Sequence, residues 1–300
     1  MIDPCFGELP AIKSMETNTW TGSGEGRFNE DFALAMPERG RAVLVDGATG
    51  LTKVNLVAGE SDAAWYARHL SEAILANLDT SPGLDHARVT DALVAAGAEV
   101  AEAYRRFPGA RDLKRIDDPN GSVVVLSWNA TNALVTLLGD CTAVVGLRDG
   151  SCHELHDNTL TLLDGENYER MYAYAVERGT TMAQARRALN PRFIENRLKM
   201  NEPDGYWAAD ISCRGMTHAT TTAFPTADVR WLFACSDGYA AAVEMGVVSS
   251  ATELGRQVAA GGGHGAGERL RVAEQEDAGC WRVHRSKQSD DATYLLVSFD

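Results

Sequence analysis

Three times in this 300-residue chain an apolar run stops at an acid beside a glycine. The runs are RAVLV before Asp46-Gly47, ALVTLL-Gly139 before Asp140, and RWLFAC-Ser236 before Asp237-Gly238. A fourth apolar run, at 293–299, begins instead after Asp290 and Asp291, and Glu30-Asp31 precedes a further apolar stretch. A single Asp-Gly after a strand is explained by the turn it makes. The whole set supports another reading. In an antiparallel sheet the start of one strand lies beside the end of its neighbour, so these acids can meet at one edge. Converging carboxylates repel and raise one another's pKa unless a cation neutralises them. Hard divalent ions with oxygen ligands do this, magnesium, manganese and calcium among them. Two such ions about 4 Å apart can share a water and acidify it into a nucleophile. Glycine after the acid lets the backbone turn tightly enough to bring a carbonyl to an ion as well.

These acids must be held by the elements around them. The sequence predicts strands over 41–45, 122–128, 133–138, 142–147, 230–235 and 293–299, with residues 129–132 turning a hairpin. Helical spacing runs through Ala64, Ala67, Leu70, Ile74 and Leu78, and again through Val89, Leu93, Ala96, Val100 and Tyr104, which predicts two amphipathic helices over 62–78 and 85–107. Residues 159–201 read as helical and charged, interrupted by Pro191, and 201–206 as a loop. A helix is expected from Tyr239 and another near 252–259, with GGGHGAG (261–267) as a flexible loop. Residues 1–20 read as irregular. With no internal repeat and no linker, one domain over 1–300 is the simplest organisation.

Composition narrows the function. With 28 basic and 42 acidic residues the formal charge is −14, which disfavours nucleic acid and anionic membrane surfaces. The six cysteines include no CxxC pair, so a zinc ribbon is not expected. Cys141 and Cys235 lie in apolar runs, and a reducing, cytoplasmic compartment fits. The segment MIDPCFGELP has no basic stretch leading into an apolar one, so no signal peptide is expected. His153, His156 and His264 lack further ligands nearby in sequence. GGGHGAG lacks the lysine-hydroxyl ending of a P-loop.

The ordered set of motifs resembles that of the metal-dependent, type-2C serine/threonine protein phosphatases, in their bacterial form. Asn29-Glu30-Asp31 resembles the first motif and Val45-Asp46-Gly47 the second. Gly139-Asp140-Cys141-Thr142-Ala143, Ala234-Cys235-Ser236-Asp237-Gly238 and Asp290-Asp291-Ala292-Thr293 resemble the later three. The likeness extends from about Gly22 to Phe299. It implies an α+β fold, a four-layer α-β-β-α sandwich of two antiparallel sheets flanked by helices. It implies that Asp46 bridges two divalent cations, manganese or magnesium, that Gly47 offers its carbonyl to one with Glu30 nearby, and that Asp237 and Asp290 bind the other. Asp31 would hold cation-bound waters, Asp140 with Asp237 would form a weaker third site, and Asp291 would support the set.

The implied activity is hydrolysis of phosphoserine or phosphothreonine esters by a water between the two cations, with Asp46, Asp237 and Arg27 carrying catalysis. The implied partner is a phosphoprotein substrate, and a serine/threonine kinase is the expected opposing enzyme in signalling. The sequence departs from the family at three places. Ala48 stands where some members have a histidine, Gly26 where many have a phosphate-binding arginine (Arg27 being one step on), and Ser122-Val123 where a Thr-Thr pair is usual. The altered segments at Ala48 and Ser122 motivate one alternative, a catalytically weak pseudophosphatase serving as a regulatory or binding module; a phosphatase of a small phosphorylated metabolite is another. Residues 155–220 fall where the family carries its flap. There Arg192, Arg197 and Lys199 are either a solvated face or a contact for an acidic phosphoprotein, and Tyr206 and Trp207 either line the substrate groove or anchor the flap.

Overall fold

The computed structural model describes residues 9–22, 28–52, 54–79 and 84–300. In chain order, β1 (Ile12–Trp20), β2 (Asp31–Met36) and β3 (Arg41–Ala48) lead to α1 (Asp62–Asp79) and α2 (His86–Tyr104). Four strands follow: β4 (Asn120–Trp128), β5 (Asn132–Leu138), β6 (Thr142–Leu147) and β7 (Cys152–Leu155). Next come α3 (Thr159–Arg178), α4 (Met182–Ala188) and α5 (Asn190–Leu198), then β8 (Ala209–Asp210), β9 (Thr220–Pro225) and β10 (Val229–Cys235). The short α6 (Asp237–Ala240), α7 (Ala251–Gln257), α8 (Gly263–Glu276) and β11 (Ala292–Phe299) complete the chain.

The strands form two antiparallel sheets, ordered β1-β11-β10-β6-β7 and β2-β3-β4-β5-β9, with β8 added to β4. Side chains alternate across a strand, and the chain uses both faces. In β3, Ala42 and Leu44 point into the space between the sheets, while Val43 and Val45 meet α1 and α2. In β10, Leu232 and Ala234 face the other sheet while Trp231 and Phe233 face α7 and α8. All nine residues of β4 are buried, which is why its sequence reads as one apolar run. Three apolar layers result: helices on sheet, sheet on sheet, sheet on helices. Trp128 lies fully buried in the middle layer, its ring edge-on to Phe299 at 5.8 Å. Each such side chain contributes roughly 1.5–3 kcal/mol through burial.

Two segments differ from the sequence reading. Residues read as irregular at the start include β1, an edge strand paired along its length with β11. Its outer face is polar, so only Ile12, Glu16, Asn18 and Trp20 are even partly sheltered, and no apolar run announces it. The GGGHGAG segment, read as a flexible loop, is helical. Gly261, at φ 84°, kinks the chain between α7 and α8, and α8 then begins at Gly263. A Cβ at Gly263 would lie 2.4 Å from the Tyr294 hydroxyl, and one at Gly267 2.3 Å from the Trp20 ring. These glycines let the helix lie flat on the sheet's aromatic face. β3 also continues through Asp46 to Ala48 instead of ending at Val45.

α3, α4 and α5 gather a separate small core of Met171, Ala175, Met182, Ala185 and Phe193, closed by Cys280. Thr181 and Gln184 form a reciprocal capping box at the start of α4, and Pro191 sits in the first turn of α5, where a missing N–H costs nothing. No described helix is long and apolar enough to cross a membrane.

Candidate active site

Strand register brings the acids together. β2 against β3 sets Asp31 opposite Asp46, and β3 against β4 sets Asp46 opposite Ser122. The Ser122 hydroxyl donates to Asp140 Oδ1 at 2.5 Å and accepts the Asp140 N–H at 3.1 Å. Gly139 reaches this position at φ 92°, a conformation glycine adopts without strain. From the other sheet, β10 ends at Ser236-Asp237. The Ser236 hydroxyl donates to Asp31 Oδ2 at 2.8 Å and accepts the Thr293 N–H at 2.9 Å, so one side chain ties the two sheets. The Asp237 N–H donates to Asp46 Oδ2 at 3.3 Å. Where β11 begins, the Asp291 carboxylate accepts the N–H of Gly22 on one oxygen and that of Glu30 on the other, each at 2.7 Å. The Glu30 carbonyl accepts the Gly47 N–H at 3.1 Å, and its carboxylate accepts the Thr49 hydroxyl.

Glu30, Asp46, Asp140, Asp237 and Asp290 thus line one cleft of about 320 Å³, whose other wall is Asp164, Tyr168, Arg186, Arg197 and Tyr206 from the helical segment and the loop after it. Burial pushes the Asp46 carboxyl well above the ordinary carboxylate range, and the charges of Asp31, Asp237 and Asp140 push it further. Asp237 opens onto the cleft, yet the protein packed around the cleft floor desolvates it. Its pKa also stands well above the usual range, with Asp140 and Asp290 adding to the effect. Burial likewise raises Asp140, against the hydrogen bond from Ser122. Asp31 is raised to about 7, chiefly by burial, with the hydrogen bonds of Ser236 and Thr293 opposing. Among the described residues, Lys287 brings a positive charge into the cluster and bonds Asp290 Oδ1. Burial would lower its pKa, but the charges of Asp290, Asp237 and Asp46 hold it above the ordinary value.

The donor set fits hard divalent cations. It is all oxygen, and the carboxyl pKa values are raised first by burial and then by the neighbouring carboxylates, a state that a bound cation would relieve. Among the described residues no three such side chains close on a point as an ion would need; the carboxylates are spread along the cleft, and Asp290 is shared with Lys287.

The other candidate residues fall as follows. Arg27 lies outside the described residues. Arg192 is exposed, whereas Arg197 lines the cleft. Tyr206 also lines it, but Trp207 turns away and stacks on His218 at 3.4 Å between ring centres. His156 pairs with Glu154 at 3.4 Å, His153 lies against Phe224, and His264 stacks on Trp20. Cys141 and Cys235 are buried thiols. Sequence reasoning missed Lys287 and Asp164. Lys287 stands three residues before Asp290 in a polar loop, and Asp164 sits in a charged helix, so neither carried a signal apart from its charge.

No family model and no curated protein matches the chain. Among solved structures it resembles the serine/threonine phosphatase PstP/Ppp of Mycobacterium tuberculosis, at 16% identity and TM-score 0.52, over 96% of this chain and 98% of that one. It also resembles the serine/threonine phosphatase Stp1 of Staphylococcus aureus, at 12% identity and TM-score 0.53, with both chains fully covered. The serine-threonine phosphatase 2C of Toxoplasma gondii matches at 14% identity and TM-score 0.53, over 98% of each chain. The PstP catalytic domain has also been solved with two manganese ions. At these identities the likeness is one of fold: two antiparallel sheets flanked by helices, as in the type-2C phosphatases.

Proposed function

We propose that this chain is a bacterial-type member of the type-2C family, a metal-dependent phosphatase of phosphoserine and phosphothreonine in proteins. The observation that carries the reading is the convergence, through strand register in both sheets, of Asp46, Asp140, Asp237, Asp290 and Glu30 on one cleft. Asp46, the Gly47 carbonyl and Glu30 would hold one divalent cation, and Asp237 and Asp290 a second; Asp140 with Asp237 would hold a weaker third. Bound there, such cations supply acidification of water and neutralisation of phosphoryl charge. The chain's own residues do the positioning. Ser236 fixes Asp31 behind Asp46, Ser122 orients Asp140, and Asp291 holds the backbone at Glu30. Residues 155–220 act as the flap over the cleft, within one catalytic domain. A phosphoprotein substrate, an opposing kinase and a reducing cytoplasm complete the reading, and the five described free thiols suit that compartment.

A second reading, a catalytically weak regulatory module, is favoured by one observation: the Lys287 ammonium already neutralises Asp290. The test is hydrolysis of a phosphothreonine peptide by the purified protein with EDTA, magnesium or manganese. Turnover only with added cation supports the phosphatase. No turnover under any condition, with calorimetry still showing cation binding, supports the module.

A further inference from the structure

Six carboxylates line the cleft and repel a phosphate dianion, so a cationic side chain that meets the phosphoryl oxygens would add to what bound divalent cations neutralise. Three cationic side chains line the cleft among the described residues: Arg186, Arg197 and Lys287. Two of them are engaged. Arg186 donates to Asn190 Oδ1 at 2.8 Å, and its guanidinium lies over the Phe193 ring at 3.7 Å. Lys287 is held by Asp290.

Arg197 differs. Its Nη1 is buried, and among the described residues the guanidinium has neither a hydrogen-bond partner for that atom nor a salt bridge. Leaving a guanidinium N–H unpaired in the interior is costly, and Arg197 is the one of these three cations whose hydrogen-bonding capacity no described residue uses. The backbone at Arg197 is well anchored. The adjacent Asn196 donates to the Leu163 carbonyl at 3.0 Å and to Asp164 Oδ1 at 3.1 Å, which fastens α5 to α3 beside the cleft. Arg197 also acts electrostatically on Asp164 and Tyr206, both of which line the same cleft.

We infer that Arg197, presented by α5 across the cleft from the aspartates, is the ligand of the substrate's phosphoryl oxygens. The inference rests on the phosphatase reading above and names the residue that recognises the phosphoryl group. A planar guanidinium offers two parallel N–H donors to two phosphoryl oxygens, which an ammonium cannot match. The helical segment would then take part in binding the reacting group, besides covering it.

The test compares Arg197→Ala, Arg197→Lys and, as a control on the same helix, the exposed Arg192→Ala. The first measurement is calorimetric binding of inorganic phosphate to the magnesium-loaded protein, which needs no turnover. Arg197→Ala should weaken it roughly ten- to a hundredfold, the loss expected of a charge-assisted hydrogen bond. Arg197→Lys should recover part of it and Arg192→Ala should match the parent. The second measurement is KM for a phosphothreonine peptide and for a small aryl phosphate, both of which should rise in Arg197→Ala. Melting temperature should hold, because no bond of the folded protein is removed. Unchanged phosphate binding in Arg197→Ala, no phosphate binding by the parent, or a KM rise confined to the peptide would each overturn the assignment. A parent that binds phosphate through Arg197 but hydrolyses neither ester would sink the phosphatase reading and leave the phosphate site standing.

Discussion

Asp277, far along the chain from most of the cleft acids, governs the loop that delivers Lys287 and Asp290. Its Oδ1 accepts the N–H groups of Trp281 and Arg282, each at 3.0 Å, and its Oδ2 accepts the Val283 N–H at 3.1 Å and Arg285 Nη1 at 2.6 Å. Burial alone would raise this carboxyl, but those donors outweigh it and pull the pKa from the ordinary 3.8 down to about 2. The folded form therefore favours the ionised group, and the shift corresponds to about 2 kcal/mol of stability. The folded pKa is depressed, so this contribution is complete above the unfolded value and fades as pH falls from about 4 through about 2. Asp277→Asn removes the charge and turns an NH₂ toward two donors. At pH 7 urea denaturation should show a loss of at least about 2 kcal/mol, or a fall of roughly 5 °C in melting temperature for a chain of this size. Below about pH 3 the gap between parent and variant should shrink to less than half. A gap of the same size at pH 7 and pH 2.5 would refute the electrostatic account and leave only packing. Stability unchanged at pH 7 would refute both.

Two further expectations follow from the cleft. Asp46→Asn and Asp237→Asn should each lower cation-dependent hydrolysis by orders of magnitude, yet in EDTA they should melt no lower than the parent, since each relieves like-charge repulsion at a desolvated carboxyl; full activity in Asp46→Asn would end its assignment. The second concerns pH. Because the folded pKa of Asp31 is raised to about 7, the cation-free protein should lose stability as pH rises from about 4 through about 7, with Asp31 contributing about 2 kcal/mol of the loss between pH 5.5 and 7.5 beside the other raised carboxyls. Thermal melts in EDTA read this directly, Asp31→Asn should make the slope shallower by that share, and an unchanged slope in the variant would contradict the assignment.

The parts legible in the sequence are those where local pattern and tertiary role agree. Val43 and Val45 alternate with Ala42 and Leu44 because each face of β3 meets its own apolar layer, and the turn at Asn129–Asn132 carries the hairpin's polar residues. The acids at the ends of β3, β5 and β10 were legible as a set because strand direction alone predicts where they meet. β1 was hidden because an edge strand with one solvated face needs few apolar residues. The start of α8 was hidden because packing overrode propensity: glycine costs a helix about 1 kcal/mol per residue, but a side chain at Gly263 or Gly267 would strike Tyr294 or Trp20. Lys287 and Arg197 were beyond reach for another reason. Their significance lies in what stands across the cleft, and charge in a polar loop or a charged helix does not say what it faces.

The grip of Asp291 on the N–H groups of Gly22 and Glu30 has a consequence for how this molecule can change. One carboxylate holds both backbone groups, so the position of Glu30 is inherited from the start of β11, and from β3 through the Gly47 N–H. Loss of the Asp291 carboxylate would therefore loosen Gly22 and Glu30 together, so a change at the start of the last strand reaches the cleft wall without touching a residue that lines it.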